Sequence, residues 1–243
     1  MGKNANRLFI EQRLAAGDVL EASPAHANYL LNVLRKGEGD EVLLFDGETG
    51  EWRAGIKLAA KRSCRLEVLD RMRGQEAGPD MHYLFAPVKR ARTDFMVEKA
   101  TELGVAAIRP LMTRRTNVAR VNLERMRANA IEAAEQCGVL RVPEICEPEK
   151  LEKLLPAWPH GRRIIYCDEE ADVASPVEAL AACPIGPVAV LIGPEGGFEP
   201  QEREMLRALP FVTPISLGPR VMRADTAAIA ALTLVNAILG DWR

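Results

Sequence analysis

Two stretches near the C-terminus combine residues that could hold a flat ligand against main chain: Leu191-Ile192-Gly193-Pro194-Glu195-Gly196-Gly197-Phe198, and Leu217-Gly218-Pro219-Arg220-Val221-Met222-Arg223-Ala224-Asp225-Thr226-Ala227. Glycine lets a ring approach peptide groups closely, and Pro194 and Pro219 fix φ and stiffen their loops. Either loop alone reads as a tight connection; two matching loops at one sheet edge read as the walls of a binding site. The two common phosphate cradles are ruled out. There is no Gly-x-x-x-x-Gly-Lys-Ser/Thr, and Gly193, Gly196 and Gly197 are not spaced as Gly-x-Gly-x-x-Gly. Asp46-Gly47-Glu48-Thr49-Gly50 is flanked by strand patterns on both sides and reads as a hairpin loop. His26, His82 and His160 stand in separate segments without metal-ligand spacing, so no metal is expected.

The loops need elements to position them. The apolar runs 188–192 and 214–217 read as buried strands, so both loops leave the carboxyl ends of strands. Between them, 199–209 reads as a crossover helix, with Pro200 at its first position, Glu202 in its first turn and Met205, Leu206 and Leu209 on its apolar face. Gly193 and Gly218 lie 25 positions apart, close to one strand-helix-strand unit. The two strands are therefore expected to be parallel and neighbouring. Further strands at 81–86, 107–111 and 163–167 alternate with helical patterns at 93–103, 122–137, 148–155 and 176–182, and Gly104 and Gly138 stand at C-cap positions. That alternation predicts an α/β domain with a mostly parallel sheet over residues 81–243. The last helix, 227–239, is expected to start behind Asp225 or Thr226 as cap, and is apolar nearly all round, as a buried or interface helix is. Residues 1–72 read as a small β-rich domain. Its strands at 7–10, 19–21, 41–45, 51–58 and 64–69, with a short helix at 25–33, suggest a small barrel. Residues 73–80, with Gly74, Gly78 and Pro79, form the linker.

Composition sets the setting. The 243 residues are 48% hydrophobic, enough for one large or two modest cores. Five scattered cysteines (Cys64, Cys137, Cys146, Cys167, Cys183) form no Cys-x-x-Cys pair, which fits a reducing cytoplasm better than a disulfide framework. No run reaches the length of a membrane span, and the start lacks a signal-peptide core. The formal charge of −2 hides a gradient: residues 81–127 carry ten Lys or Arg against four Asp or Glu, and 128–243 carry ten against seventeen. The basic clusters Arg35-Lys36, Lys61-Arg62 with Arg65, Lys89-Arg90 with Arg92, and Arg114-Arg115 with Arg120 are either solvated surface or the footprint of a polyanion such as RNA.

The two glycine loops, with Asp225-Thr226-Ala227 after the second, resemble those of the SPOUT methyltransferases, specifically the RsmE-type enzymes that methylate N3 of a uridine in 16S ribosomal RNA. The likeness extends to Val33-Leu34-Arg35, Glu98-Lys99-Ala100-Thr101-Glu102-Leu103-Gly104-Val105 and Ala134-Glu135-Gln136-Cys137-Gly138. It implies a SPOUT domain with a deep trefoil knot, a PUA-like N-terminal domain, a homodimer and S-adenosylmethionine as methyl donor. Two positions depart from the family pattern: Asp225 where Glu is usual, and Val139 where a basic residue commonly follows Gly138, a loss Arg141 could offset.

On this sequence the resemblance places the donor against Leu191, Ile192, Gly193, Gly196, Gly197, Leu217, Gly218, Val221, Met222 and Arg223, with Cys167 to Glu169 as a third wall. Methylation at N3 needs the proton removed and the developing uracil anion stabilised. Arg223 is the first choice as stabiliser, because guanidinium donors can hold a developing uracil anion and its loop leads into the donor's wall. Glu195 accepts the proton, offsets the donor's positive charge, or merely charges a helix start. Arg7, Arg35, Lys89, Arg90, Arg92, Arg114 and Arg115 are the candidate RNA contacts. With 5% aromatic residues, charge and shape rather than stacking should dominate. The alternatives are a non-catalytic RNA-binding adaptor and an enzyme with another acceptor atom.

Overall fold

The structure is a computed structural model that describes residues 6–60, 63–118, 120–171 and 175–243. Lys61 and Arg62, assigned above to a basic cluster, lie outside the described residues. The chain divides into two compact units, Met1–Ala77 with Ala134–Arg141, and Gly78–Ala133 with Val142–Arg243.

The first unit is built on β1 (Arg7–Phe9), β2 (Val19–Glu21), α1 (Pro24–Asn28, running into a π-type turn at Tyr29–Val33), β3 (Glu41–Phe45), β4 (Glu51–Ala60) and β5 (Ser63–Arg73). The strands order as β1-β3-β4-β5-β2, with β1 parallel to β3 and the other pairs antiparallel. Among the described residues β1 and β2 stand at opposite edges and do not pair, so the sheet is open where a closed barrel was expected. Alternation along β3, β4 and β5 sends Leu44, Ile56 and Leu66 inward against Leu30 of the helix. The 46–50 segment forms the expected hairpin loop: the Asp46 carboxylate accepts from the amides of Glu48 (2.9 Å) and Thr49 (2.7 Å) and from Leu14 at 2.9 Å. Gly50, at φ 107°, is required there, because a β-carbon would stand 2.2 Å from the Arg73 carbonyl oxygen.

Arg7, expected at an RNA surface, is spent inside this unit. Its Nε donates to Glu51 at 2.6 Å, with both side chains under a tenth exposed. Its Nη1 reaches the Ala134 carbonyl at 2.7 Å, and its guanidinium lies 4.7 Å from the centre of the Phe45 ring. Arg73 donates to the Gly138 carbonyl at 2.9 Å. A helix end leaves its last carbonyls unsatisfied and negative; two guanidiniums meet the end of the helix that closes at Cys137, and Glu51 offsets one of their two charges.

The second unit runs β6 (Met81–Phe85), α2 (Arg90–Glu102), β7 (Ala107–Met112), α3 (Leu123–Cys137, whose last turn belongs to the first unit), β8 (Glu144–Ile145), β9 (Glu149–Lys150), α4 (Leu151–Leu154), β10 (Arg163–Cys167), α5 (Pro176–Ala181), β11 (Val188–Ile192), α6 (Pro200–Arg207), β12 (Val212–Ile215) and α7 (Ala224–Ile238). All its strand pairs are parallel, in the order β12-β10-β11-β6-β7-β8, with β9 also on β7. Every residue of β11 is buried. Val188, Val190 and Ile192 face α2, α5 and α7, while Ala189 and Leu191 face α4 and α6. Parallel strands covered on both faces read as continuous apolar runs, which is why β11 was legible. Among the described residues no helix is long and apolar enough to cross a membrane.

Two expectations are corrected. β11 and β12 are parallel but not neighbours: β10 lies between them and pairs with both. A crossover of this length fixes strand direction and leaves open whether a strand is skipped. And α7 begins at Ala224, with Arg223 as its N-cap, so Asp225 and Thr226 lie in its first turn instead of capping it.

Candidate functional site

The inserted β10 improves the site. Tyr166 is in register with Leu191, and Cys167 with Ile215, so the carboxyl ends of β10, β11 and β12 finish level and three loops leave side by side. Between them opens a cavity of about 580 Å³, a volume suited to a small organic ligand. Its walls are the loop from Gly193 to Phe198, the loop from Leu217 into Ala224, and Cys167 to Glu169, with Arg92 of α2 at the rim.

The first loop is held by its own aromatic residue. Phe198 folds under Gly193 so closely that a β-carbon there would meet the ring at 2.5 Å, and the ring meets Tyr166 edge-on at 5.2 Å. The Gly197 amide closes a turn on the Pro194 carbonyl at 2.8 Å, with Gly197 at φ 69°. Among the described residues, no backbone-to-backbone hydrogen bond engages residues 216–222 of the second loop. Apart from the Gly218 amide, which donates to the Ser216 hydroxyl at 3.4 Å, the loop's main chain is left to meet a ligand. Val221 at its tip is 94% exposed, and Arg220 and Arg223 are exposed, neither engaging a carboxylate among the described residues. Arg223 occupies the N-cap, where the helix already presents the positive end of its dipole. A cation placed there opposes the helix's own preference and suits a ligand that develops negative charge.

The acidic wall is largely neutralised from within. Asp168 is buried and bonded by Arg207 at 2.6 Å, with Arg203 at 3.8 Å, and Glu169 pairs with Arg203 at 3.0 Å. Burial pushes the Cys167 thiol up to about 12, so it stays protonated at neutral pH and is no thiolate nucleophile. Among the described residues no group of three or more His, Cys, Asp or Glu is arranged to hold a metal ion.

Of the expected donor contacts, Ile192, Gly193, Gly196, Gly197, Leu217, Gly218, Val221, Met222 and Arg223 line the cavity. Leu191 does not: the strand's two-residue alternation turns it into the core beneath α4 and α6. Among the expected RNA contacts, Lys89 and Arg90 are exposed at the start of α2, and Arg35 is exposed in the first unit at a left-handed φ of 55°. None of the three is paired with a carboxylate among the described residues. Arg114 pairs with Glu152 at 3.0 Å, and Arg115 with Glu199 at 2.7 Å. Arg92 is ion-paired with Glu195 and lies 3.9 Å from Asp225, so it joins the two loops at the cavity rim. No local pattern announced that role, because the partners lie far apart in sequence.

Three main-chain walls meet at the level ends of parallel strands, the edge of an α/β sheet at which ligands bind. An RNA methyltransferase domain model matches residues 76–236, and an RNA methyltransferase PUA domain model matches residues 25–69. The chain is 31% identical over 238 residues to the ribosomal RNA small subunit methyltransferase E of Rickettsia conorii, covering 97% of this chain and 96% of that one. The enzyme of the same description from Bacillus subtilis is 26% identical, with 95% of each chain covered. The crystal structure of a ribosomal RNA small subunit methyltransferase E from Neisseria gonorrhoeae bound to S-adenosyl methionine superposes with a TM-score of 0.85 at 26% identity, over 99% of this chain and 100% of that one. The chain belongs to the ribosomal RNA small subunit methyltransferase E family.

Proposed function

We propose that this chain transfers a methyl group from S-adenosylmethionine to N3 of a uridine in 16S ribosomal RNA. The observation that carries the reading is the convergence of the two glycine loops and the Cys167–Glu169 segment on one cavity of about 580 Å³. The residues fit the donor. Gly193, Gly196, Gly197 and Gly218 bring main chain to the cavity surface, Ile192, Leu217 and Met222 add apolar wall, and the 216–222 backbone, which among the described residues makes no backbone-to-backbone bond, can match the edge of an adenine ring. When bound, S-adenosylmethionine supplies a methyl group already activated for transfer.

The chain's own task is to align and to manage charge. Arg223, at the positive end of α7 and free of a carboxylate partner among the described residues, holds the uracil oxygens as N3 loses its proton. Glu195, ion-paired with Arg92 at the cavity rim, takes that proton in this reading. Asp225 charges the first turn of α7 and pairs with Arg92 instead of acting on substrate. Phosphates of the RNA meet Lys89 and Arg90 in the second unit and Arg35 in the first, and the target base swings out of its strand to reach the cavity. The second unit takes the SPOUT topology with its trefoil knot, and two copies pair as a homodimer in the cytoplasm.

Mass spectrometry of nucleosides from small-subunit RNA tests the assignment. A strain lacking the gene should lose 3-methyluridine and regain it when the gene is restored. Loss of a different methylated nucleoside would refute the acceptor.

A further inference from the structure

Arg115 was a candidate phosphate contact, and the structure gives its guanidinium another occupation. The turn from Thr113 to Thr116 follows β7 and is closed by its own threonines, with the Thr113 amide 2.9 Å from the Thr116 hydroxyl. From this turn Arg115 sends two bonds to the first glycine loop: Nε to the Glu199 carboxylate at 2.7 Å and Nη1 to the Gly196 carbonyl at 2.8 Å. Gly196 lines the cavity, and Glu199 is the N-cap of α6. One planar fork thus spans the loop from its exposed glycine to its exit into the helix. The neighbouring amide of Arg114 donates to Glu202 at 2.9 Å, and the other oxygen of Glu202 accepts from the Glu199 amide at 3.0 Å, which docks the same turn on the same helix start. Phe198 and the Gly197–Pro194 turn hold the loop from within, and Gly196, with the wide backbone freedom of its residue type, gains from Arg115 a hold from outside.

We infer that Arg115 is a positioning residue for the donor site: it clamps Gly196 and Glu199 in the cavity-forming arrangement and is not a phosphate contact. The inference rests on the proposed function, since it takes the cavity to be the donor site. A lysine keeps the charge but is a single point that cannot span both acceptors, so the fork itself is what the loop needs.

The test is titration calorimetry of the full-length chain with S-adenosylmethionine, for the unsubstituted protein, Arg115→Ala and Arg115→Lys, beside RNA binding measured across a salt series. Thermal melting checks that each variant is folded, and Arg115→Lys serves if Arg115→Ala is not. Losing both bonds should weaken donor affinity about ten- to a hundredfold in Arg115→Ala, and losing one of them should weaken it about three- to tenfold in Arg115→Lys. The slope of log RNA affinity against log salt should stay unchanged. Donor affinity within about twofold of the unsubstituted chain overturns the inference, as does a slope reduced by about 0.7 to 0.9, the signature of one lost phosphate contact. If the unsubstituted chain binds no S-adenosylmethionine, the proposed function falls and takes this inference with it. That outcome is distinct from a chain that binds the donor but is indifferent to position 115.

Discussion

Arg92 of α2 is ion-paired with Glu195 of the first glycine loop, a contact that spans 103 positions in sequence. The same guanidinium lies 3.9 Å from Asp225 in the first turn of α7, so one side chain ties together the two loops that flank the cavity. All three side chains are partly exposed, and pairs of that kind add little to folding stability. Their value lies in geometry. Arg92→Ala should therefore leave the melting temperature within a degree or two and lower kcat/KM about ten- to a hundredfold. Steady-state kinetics beside thermal melting checks this. A large fall in melting temperature with full activity per folded molecule would make the pair structural.

The glycines of the cavity wall should differ in what they tolerate. At Gly193 an added β-carbon would meet the Phe198 ring at 2.5 Å, and that ring is wedged against Tyr166. Gly193→Ala should destabilise by about 1–3 kcal/mol, as overpacking does, and should weaken donor binding by shifting the wall. Gly218 faces open space but sits at φ 103°, so Gly218→Ala should cost only the backbone strain, about 1–2 kcal/mol. Melting curves and donor titration of the two variants separate packing from strain.

The basic residues divide into spent and available. Lys89 and Arg90 are exposed and unpaired with carboxylates among the described residues, and replacing both with alanine should lower the salt slope of RNA affinity by about 1.4 to 1.8. Arg7→Ala should leave that slope unchanged and destabilise the protein by about 1–3 kcal/mol, because it takes a charged donor from the Ala134 carbonyl and leaves Glu51 buried with Arg73 alone as partner. RNA binding across a salt series, with denaturant melts of each variant, checks both halves.

Acid should loosen the first unit through Glu51. Burial works to raise its carboxyl, but the hydrogen bonds and charges of Arg73 and Arg7 outweigh burial and hold it below the usual carboxylate range. A carboxyl lowered on folding contributes stability above its unfolded value, about 4.3, and that contribution is lost as pH falls through the folded value. Stability should therefore drop as pH is taken from about 5 toward 3, and Glu51→Gln should flatten that limb. Amide exchange in β3 and β4 as a function of pH reads it out.

Much of the architecture was legible because its signals are local. Residues 188–192 and 163–167 form strands with the expected bounds, since a strand buried on both faces is a short apolar run between breaks. The cavity's glycines were readable from the loops they punctuate, whereas the side Leu191 takes was not, because a run apolar on both faces hides it. Strand order was not readable: β10 comes between β11 and β12, and a crossover's length is the same whether or not it skips a strand. Nor were the fates of the arginines. Arg7, Arg92 and Arg115 look like any surface cation in sequence, and their partners Glu51, Glu195 and Glu199 lie tens of residues away.

The central claim is tested most directly by incubating the purified chain with methyl-labelled S-adenosylmethionine and small-subunit RNA lacking the modification, then digesting the RNA and separating its nucleosides. The account predicts that label appears in 3-methyluridine, at no more than one uridine per RNA. It also predicts that Arg223→Ala reduces the yield about a hundredfold while the variant still binds the donor. Label in a ribose methyl or another base, or none at all with a chain shown to be folded, would contradict it.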